Sequence, residues 1–78
     1  MSIEILNMVG ARCPEPEART RARIESLNQN DRITVIVDDK KACESLPMVI
    51  KGSNCKILEF KRKEKDGNEV FEFLVVKL

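Results

Sequence analysis

Five consecutive residues near the middle of the chain, Ile33-Thr34-Val35-Ile36-Val37, narrow the possible folds more than any other feature. β-branched side chains favour extended backbone, and a run largely apolar on both faces belongs to an interior strand of a covered sheet. Such a strand needs neighbours on either side, and the rest of the sequence supplies them. Met1 to Val9 alternates as a strand, with Ile3, Ile5 and Val9 on one side and Glu4 and Met8 on the other. Two further strands, Cys55 to Lys63 and Glu69 to Lys77, are joined by Lys65-Asp66-Gly67-Asn68, whose Asp-Gly pair is a strong hairpin signal.

Between the strands the period changes to that of helices. Gly10 breaks the first strand, and Cys13-Pro14-Glu15-Pro16 opens a helix predicted to run to Leu27 or Asn28. Proline is tolerated in a first helical turn because those N–H groups have no intrahelical acceptor. The core positions of this helix are Thr20, Ile24 and Leu27, with Ala18 and Ala22 beside them, a thin apolar stripe. After the turn cluster Asn28-Gln29-Asn30-Asp31 and the central strand, Asp38 or Asp39 can cap a second helix from about Lys40 to Lys51. Its Ala42, Cys43, Leu46, Val49 and Ile50 form one apolar stripe. Pro47 lies inside that stripe, which predicts a kink or two short helical pieces meeting at Leu46-Pro47, and Gly52-Ser53-Asn54 ends the helix.

The order β-α-β-α-β-β gives an α+β fold: a two-layer α/β sandwich in which a four-stranded mixed sheet carries two helices on one face. Right-handed crossovers make the first three strands parallel, and the hairpin turns the fourth antiparallel. No repeat or linker divides the 78 residues, so 1–78 reads as a single domain. A domain of this size buries roughly 60–65% of its unfolded surface and is held together by ~4–12 kcal/mol.

Composition removes much chemistry. Fourteen basic and 13 acidic residues leave a net charge of +1, against both a strongly basic nucleic-acid clamp and an acidic tail. There is no histidine, which excludes Ser-His-Asp and Cys-His catalysis and zinc sites that need imidazole. Three cysteines, Cys13, Cys43 and Cys55, make an odd set with no Cys-x-x-Cys pair, so neither thioredoxin-type exchange nor a zinc knuckle is suggested, and no metal or cofactor is expected. The start of the chain lacks the basic region and cleavage site of a signal peptide. The apolar runs Ile33 to Val37 and Leu74 to Val76 are too short to span a bilayer. The expectation is a reduced, cytoplasmic protein.

The three thiols are unequal. Cys43 lies on the apolar stripe of the second helix and reads as core; Cys55 opens a strand and reads as ordinary packing. Cys13 precedes proline, which pushes it toward the extended geometry that an N-cap also needs. With Cys13 as N-cap, Pro16 at N3 has no N–H to give, so the Glu15 N–H is the one local donor for a sulfur anion. The positive end of the helix dipole favours the same anion. Glu15 and Glu17 oppose it and Arg12 assists, which leaves the sign of the pKa shift open. The expectation is a reactive, partly exposed Cys13 at a rigid helix start. Arg19, Arg21 and Arg23 crowd the same helix and Arg12 precedes it. They form either a solvated face, with Arg21 and Glu25 as a weak i,i+4 pair, or a docking surface for an acidic partner next to Cys13.

Gly10-x-x-Cys13-Pro14-x-Pro16, just after a first strand, resembles the signature of the TusA/SirA-like sulfur-carrier family. Arg21 falls where that family often carries a basic residue, Asp38-Asp39 closes the second strand as its Asp-Asp-Pro does, and Leu46-Pro47 matches its Ile-Pro. The likeness spans nearly the whole chain, making 1–78 one domain of that type. It implies the same two-layer sandwich, and it implies that Cys13 is the catalytic residue that accepts sulfane sulfur as a persulfide. Gly10, Pro14, Glu15 and Pro16 would support Cys13, and Arg12, Arg19, Arg21 and Arg23 would dock partners. Those partners would be a donor protein, a cysteine desulfurase or rhodanese-like enzyme, and an acceptor protein in tRNA thiolation, cofactor assembly or sulfur metabolism. Neither direct nucleic-acid contact nor a membrane is expected.

The sequence departs from the pattern at Asn7, where Asp is frequent, at Ala11, where Leu is common, at Lys40 after the aspartate pair, and at Cys55, often a His. Glu17-Ala18-Arg19-Thr20 is also far more polar than the usual run, which points to a different partner surface. Two other readings use the Arg-rich first helix. One is a small RNA-binding module, weakened by the low net charge and by having its few phenylalanines in the last two strands, since RNA recognition usually adds exposed aromatics. The other is a regulatory adaptor that uses Cys13 only as a redox-sensitive contact.

Overall fold

In the computed structural model, which describes residues 3–78, the elements are β1 (Ile3–Asn7), α1 (Glu15–Glu25), β2 (Arg32–Val37), α2 (Lys40–Gly52), β3 (Cys55–Lys65) and β4 (Asn68–Lys77). Met1 and Ser2, assigned to the first strand from sequence, lie outside the described residues. The sheet order is β1-β2-β4-β3, with β1 and β2 parallel and β4 antiparallel to both β2 and β3. The first three strands therefore run the same way, as right-handed crossovers require. The β-branched run is the interior strand β2, bonded to β1 on one side and β4 on the other.

Only one face of the sheet is covered by helices. Ile33, Val35 and Val37 of β2, Phe71, Phe73 and Val75 of β4, Ile24 of α1 and Ala42, Leu46 and Ile50 of α2 form one buried cluster. Thr34 and Ile36 point the other way and are half-buried. On β1 the sidedness is the reverse of the sequence reading: Met8 is 1% exposed and Leu6 packs on the core, whereas Ile5 and Val9 are 69% and 51% exposed. The register explains this. Leu6 pairs with the buried Val35, and paired residues share a face, so even-numbered positions of β1 take the core side.

The apolar face of α1 is thinner than its sequence suggests. Pro16, Thr20 and Ile24, spaced four apart, are buried, while Ala18 and Ala22 are exposed. α2 runs as one helix across Pro47, so the two-piece alternative is set aside. Pro47 offers no N–H to the carbonyl of Cys43, and burial of Leu46 and Ile50 on either side holds the helix through that gap. Its cap is Asp39 rather than Asp38, with the carboxylate accepting the Lys41 N–H at 3.2 Å. The hairpin is tighter than its sequence bounds. Pairing continues to Lys65 and Asn68, leaving Asp66-Gly67 at φ +53° and +80°, the two positive values a type I′ turn needs. The Phe60 ring lies tilted against Phe73 at 5.0 Å and near-parallel to Phe71 at 6.3 Å, which gathers all three aromatic rings on this hairpin.

Candidate functional site

The site grows out of the loop between β1 and α1. Ala11 N–H donates to Met8 C=O at 3.0 Å, closing a turn whose third residue, Gly10, has φ +95°, a region that L side chains rarely adopt. Because β1 and β2 are parallel, this loop emerges beside the end of β2, where Asp38 and Asp39 stand. Asp38 Oδ1 accepts the Gly10 N–H and an Arg12 guanidinium N–H, both at 2.9 Å. Asp39 Oδ2 accepts the Cys13 N–H at 2.8 Å while its other oxygen caps α2. Two consecutive carboxylates thus hold the loop at both ends. The Cys13–Pro14 peptide is cis.

The helix start differs from the sequence reading. Pro14, not Cys13, is the N-cap, and the Glu15 N–H is spent on the Arg12 carbonyl at 2.9 Å. The amide expected to hold a sulfur anion is therefore occupied by the Arg12 carbonyl. The thiol finds a different partner: Cys13 Sγ donates to Glu17 Oε2 at 2.7 Å. The Ser45 hydroxyl of α2 lies 3.1 Å from the same oxygen and 3.0 Å from the Lys41 carbonyl, so its single proton serves one of the two. The second carboxylate oxygen of Glu17, Oε1, is buried with no partner among the described residues.

Electrostatics at Cys13 follow from these contacts. The hydrogen bond to Glu17 pushes the thiol pKa up, slight burial and the negative charges of Glu17 and Asp39 add to it, and Lys41 opposes them. The sign left open by the sequence is upward, so the thiol is exposed as expected but is held protonated at rest. Burial also raises the pKa of Cys43 and Cys55. Cys43 is half-buried against the core, and Cys55 is buried with Sγ 3.6 Å from the Ser53 carbonyl. All three thiols favour their neutral form; accessibility is what separates Cys13 from the other two.

The four arginines do not form one patch. Arg12 pairs with Asp38 at 2.9 Å, and Arg23 pairs with Glu4 of β1 at 2.6 Å. Arg19 and Arg21, two residues apart, point about 200° apart on a helix. Arg21 faces α2 and lines an open groove of ≈ 380 Å³ with Pro14, Glu17, Ala18, Ala22 and Val49. Arg21 and Glu25 are not among the ion pairs of the described residues. Phe71 and Phe73 are buried and Phe60 packs against both, which leaves no row of exposed rings for stacking bases. Among the described residues no group of three or more Cys, Asp or Glu is placed to hold a metal ion, and no helix is long and apolar enough to cross a membrane.

Sequence reasoning missed Asp38 and Asp39 as loop anchors, weighed Glu17 only as an opposing charge and not as the hydrogen-bond partner of the thiol, and missed Ser45 beside Glu17. The Cys13-to-Glu17 spacing of four was a signal in plain view, because such residues meet at the start of a helix. Asp38 gives a testable consequence. The Gly10 N–H, then the Arg12 guanidinium, hold its carboxyl below the usual range, with burial opposing. A depressed folded pKa stabilises above the unfolded value and loses that contribution as pH falls through the folded one. Asp38→Ala is expected to cost about 1–2 kcal/mol at pH 7, most of it from the backbone bond. The Arg12 pair adds little, because that guanidinium is 63% exposed. The gap between variant and parent should be full above about pH 5 and shrink as pH falls below the usual carboxylate range, leaving the part due to the Gly10 bond that a protonated carboxyl still accepts, as denaturant melts would record.

Comparison with known proteins places this geometry in context. The family described as Sulfurtransferase TusA matches residues 4–77. A protein of Archaeoglobus fulgidus assigned as a sulfur carrier is 31% identical over 72 residues, covering 92% of each chain. The crystal structure of a SirA-like protein from Desulfitobacterium hafniense superposes with a TM-score of 0.69 over 99% of this chain and 100% of its own. At 22% identity that likeness is one of fold.

Proposed function

This chain belongs to the sulfurtransferase TusA family, a family of sulfur carriers, and on that premise we propose that Cys13 accepts one sulfane sulfur as a persulfide and relays it between proteins. The observation that carries the reading is the unequal exposure of the three thiols: Cys13 alone is exposed, on a loop fixed by two carboxylates. A sulfur held there is within reach of another protein, and the half-buried Cys43 and buried Cys55 are poorly placed to compete for it. Gly10 supplies the turn, Pro14 and Glu15 begin the helix that Cys13 precedes, and buried Pro16 fixes that start against the core. Lack of histidine is no obstacle, since a cysteine desulfurase or rhodanese-like donor brings the sulfur already activated. Docking falls to the surface around Cys13. Arg21 and the groove beside it are one flank, and Arg12, Arg19 and Arg23 mark the other, with the acceptor protein setting whether the sulfur serves tRNA thiolation, cofactor assembly or sulfur metabolism.

Incubation with a cysteine desulfurase and free cysteine, followed by intact mass, tests the reading. The parent protein, Cys43→Ser and Cys55→Ala are expected to gain one sulfur atom, and Cys13→Ser none. No adduct with any of several donors, or an adduct that survives in Cys13→Ser, would overturn it.

A further inference from the structure

Sulfur uptake by a thiol releases a proton, and in this site a carboxylate oxygen already lies 2.7 Å from Cys13 Sγ. We propose that Glu17 is a catalytic residue that takes the Cys13 proton as the sulfur arrives. The inference rests on Cys13 being the persulfide acceptor and adds the group that makes its protonated thiol usable. Three observations support it. The contact is direct, from Sγ to Oε2. The Ser45 hydroxyl of α2 lies 3.1 Å from that oxygen and 3.0 Å from the Lys41 carbonyl, so the carboxylate is seated against α2. The other oxygen, Oε1, is buried and unpartnered among the described residues, so the carboxylate keeps capacity that no neighbour has claimed. Charged groups facing the pair are Asp39 and Lys41 near the sulfur and Arg21 and Glu25 along the groove.

The step balances without an outside oxidant. Cys13 Sγ attacks the outer sulfur of a donor persulfide; the Sγ–S bond forms as the donor's own S–S bond breaks, and the donor leaves with the electron pair as a thiolate. The thiol proton passes to Glu17 Oε2 and on to the departing thiolate. One zero-valent sulfur changes owner and no net electrons move. In the reverse direction, as an acceptor takes the sulfur, Cys13 leaves as a thiolate and is protonated through Glu17. General base assistance by a positioned carboxylate matters most where the nucleophile is protonated at working pH, which is the resting condition of this thiol.

Glutathione persulfide is the probe, with sulfur uptake read by intact mass against time from pH 6 to pH 9. Glu17→Gln is expected to lower the uptake rate at pH 6–7 by about 10²-fold or more, with the ratio to the parent narrowing as pH rises and the thiolate forms unaided. In parallel, iodoacetamide, which reports thiolate, is expected to label Cys13 faster in Glu17→Gln at neutral pH, because the bond that holds the thiol protonated is gone. The two readouts then move in opposite directions, which a merely structural loss would not produce. Glu17→Ala repeats the measurement, a melting curve on each variant verifies folding, and Ser45→Ala is expected to slow uptake less while keeping the parent's pH profile. Uptake by folded Glu17→Gln that equals or exceeds the parent's across the range overturns the role of Glu17 and leaves the carrier reading standing. A parent protein that takes no sulfur, or equal uptake by Cys13→Ser, overturns both.

Discussion

Replacing Ile24 with alanine is expected to remove about 3 kcal/mol of folding stability, within the range seen when a buried aliphatic side chain is cut back to a methyl group. The reason is the composition of α1. Its buried face consists of Pro16, Thr20 and Ile24, and of these only Ile24 is a large aliphatic side chain, with no exposed surface. Among the described residues the Thr20 hydroxyl has only the Met8 sulfur, 3.9 Å away, as a partner, a weak contact. A helix of 11 residues is marginal alone, so α1 depends on this buried face for its place against α2 and the sheet. Against a total of ~4–12 kcal/mol the loss is severe, and for a domain this small it corresponds to a fall in Tm of about 12–24 °C. Thermal and urea melts would record it. A loss below about 1 kcal/mol would mean that α1 is held by something other than its buried face.

The second large effect is expected at Asp39. One carboxylate caps α2 through the Lys41 N–H and anchors the Cys13 N–H, so Asp39→Ala removes two bonds of different purpose. The cap contributes about 1 kcal/mol, and a charge-assisted bond to the loop adds about 1–2 kcal/mol. Expected results are a stability loss of roughly 2–3 kcal/mol and faster hydrogen exchange at the Cys13 amide. Asp39→Asn separates the parts. Asparagine caps helices as well as aspartate does, but its NH2 group cannot accept the Cys13 N–H, so only the roughly 1 kcal/mol of the cap should return. Loss of the negative charge should still make Cys13 label faster with iodoacetamide at neutral pH, since Asp39 adds to the upward shift set chiefly by Glu17. An Asp39→Ala protein as stable as the parent, with an equally protected Cys13 amide, would contradict the double anchoring.

What could be read from the sequence was what depends on near neighbours. The β-branched run marked β2, Asp66-Gly67 marked the hairpin with the positive φ values it required, and the spacing of Ala42, Leu46 and Ile50 marked α2. The motif around Cys13 identified the exposed thiol. What could not be read depends on register. Met1 to Val9 alternates either way up, and only pairing with β2 turns Met8 and Leu6 inward. The N-cap was misplaced as well. Local rules favour Cys13, but the helix starts at Glu15 with Pro14 as N-cap, and the Glu15 N–H bonds the Arg12 carbonyl. Glu17 was visible and was weighed only as an opposing charge; its role as a hydrogen-bond partner follows from where the helix starts. Alternation of small and polar residues along α1 likewise hides that its arginines lie on opposite flanks.

The anchoring of the Gly10–Cys13 loop by Asp38 and Asp39 has a consequence for how such a molecule can diversify. The position of the sulfur is written into the sheet and the start of α2, while the outward side of α1, with Ala18, Arg19 and Ala22, takes no part in holding it. The place of the thiol and the exposed surface beside it are encoded on separate elements. A chain built this way can exchange the exposed residues of α1 without moving the Cys13 thiol.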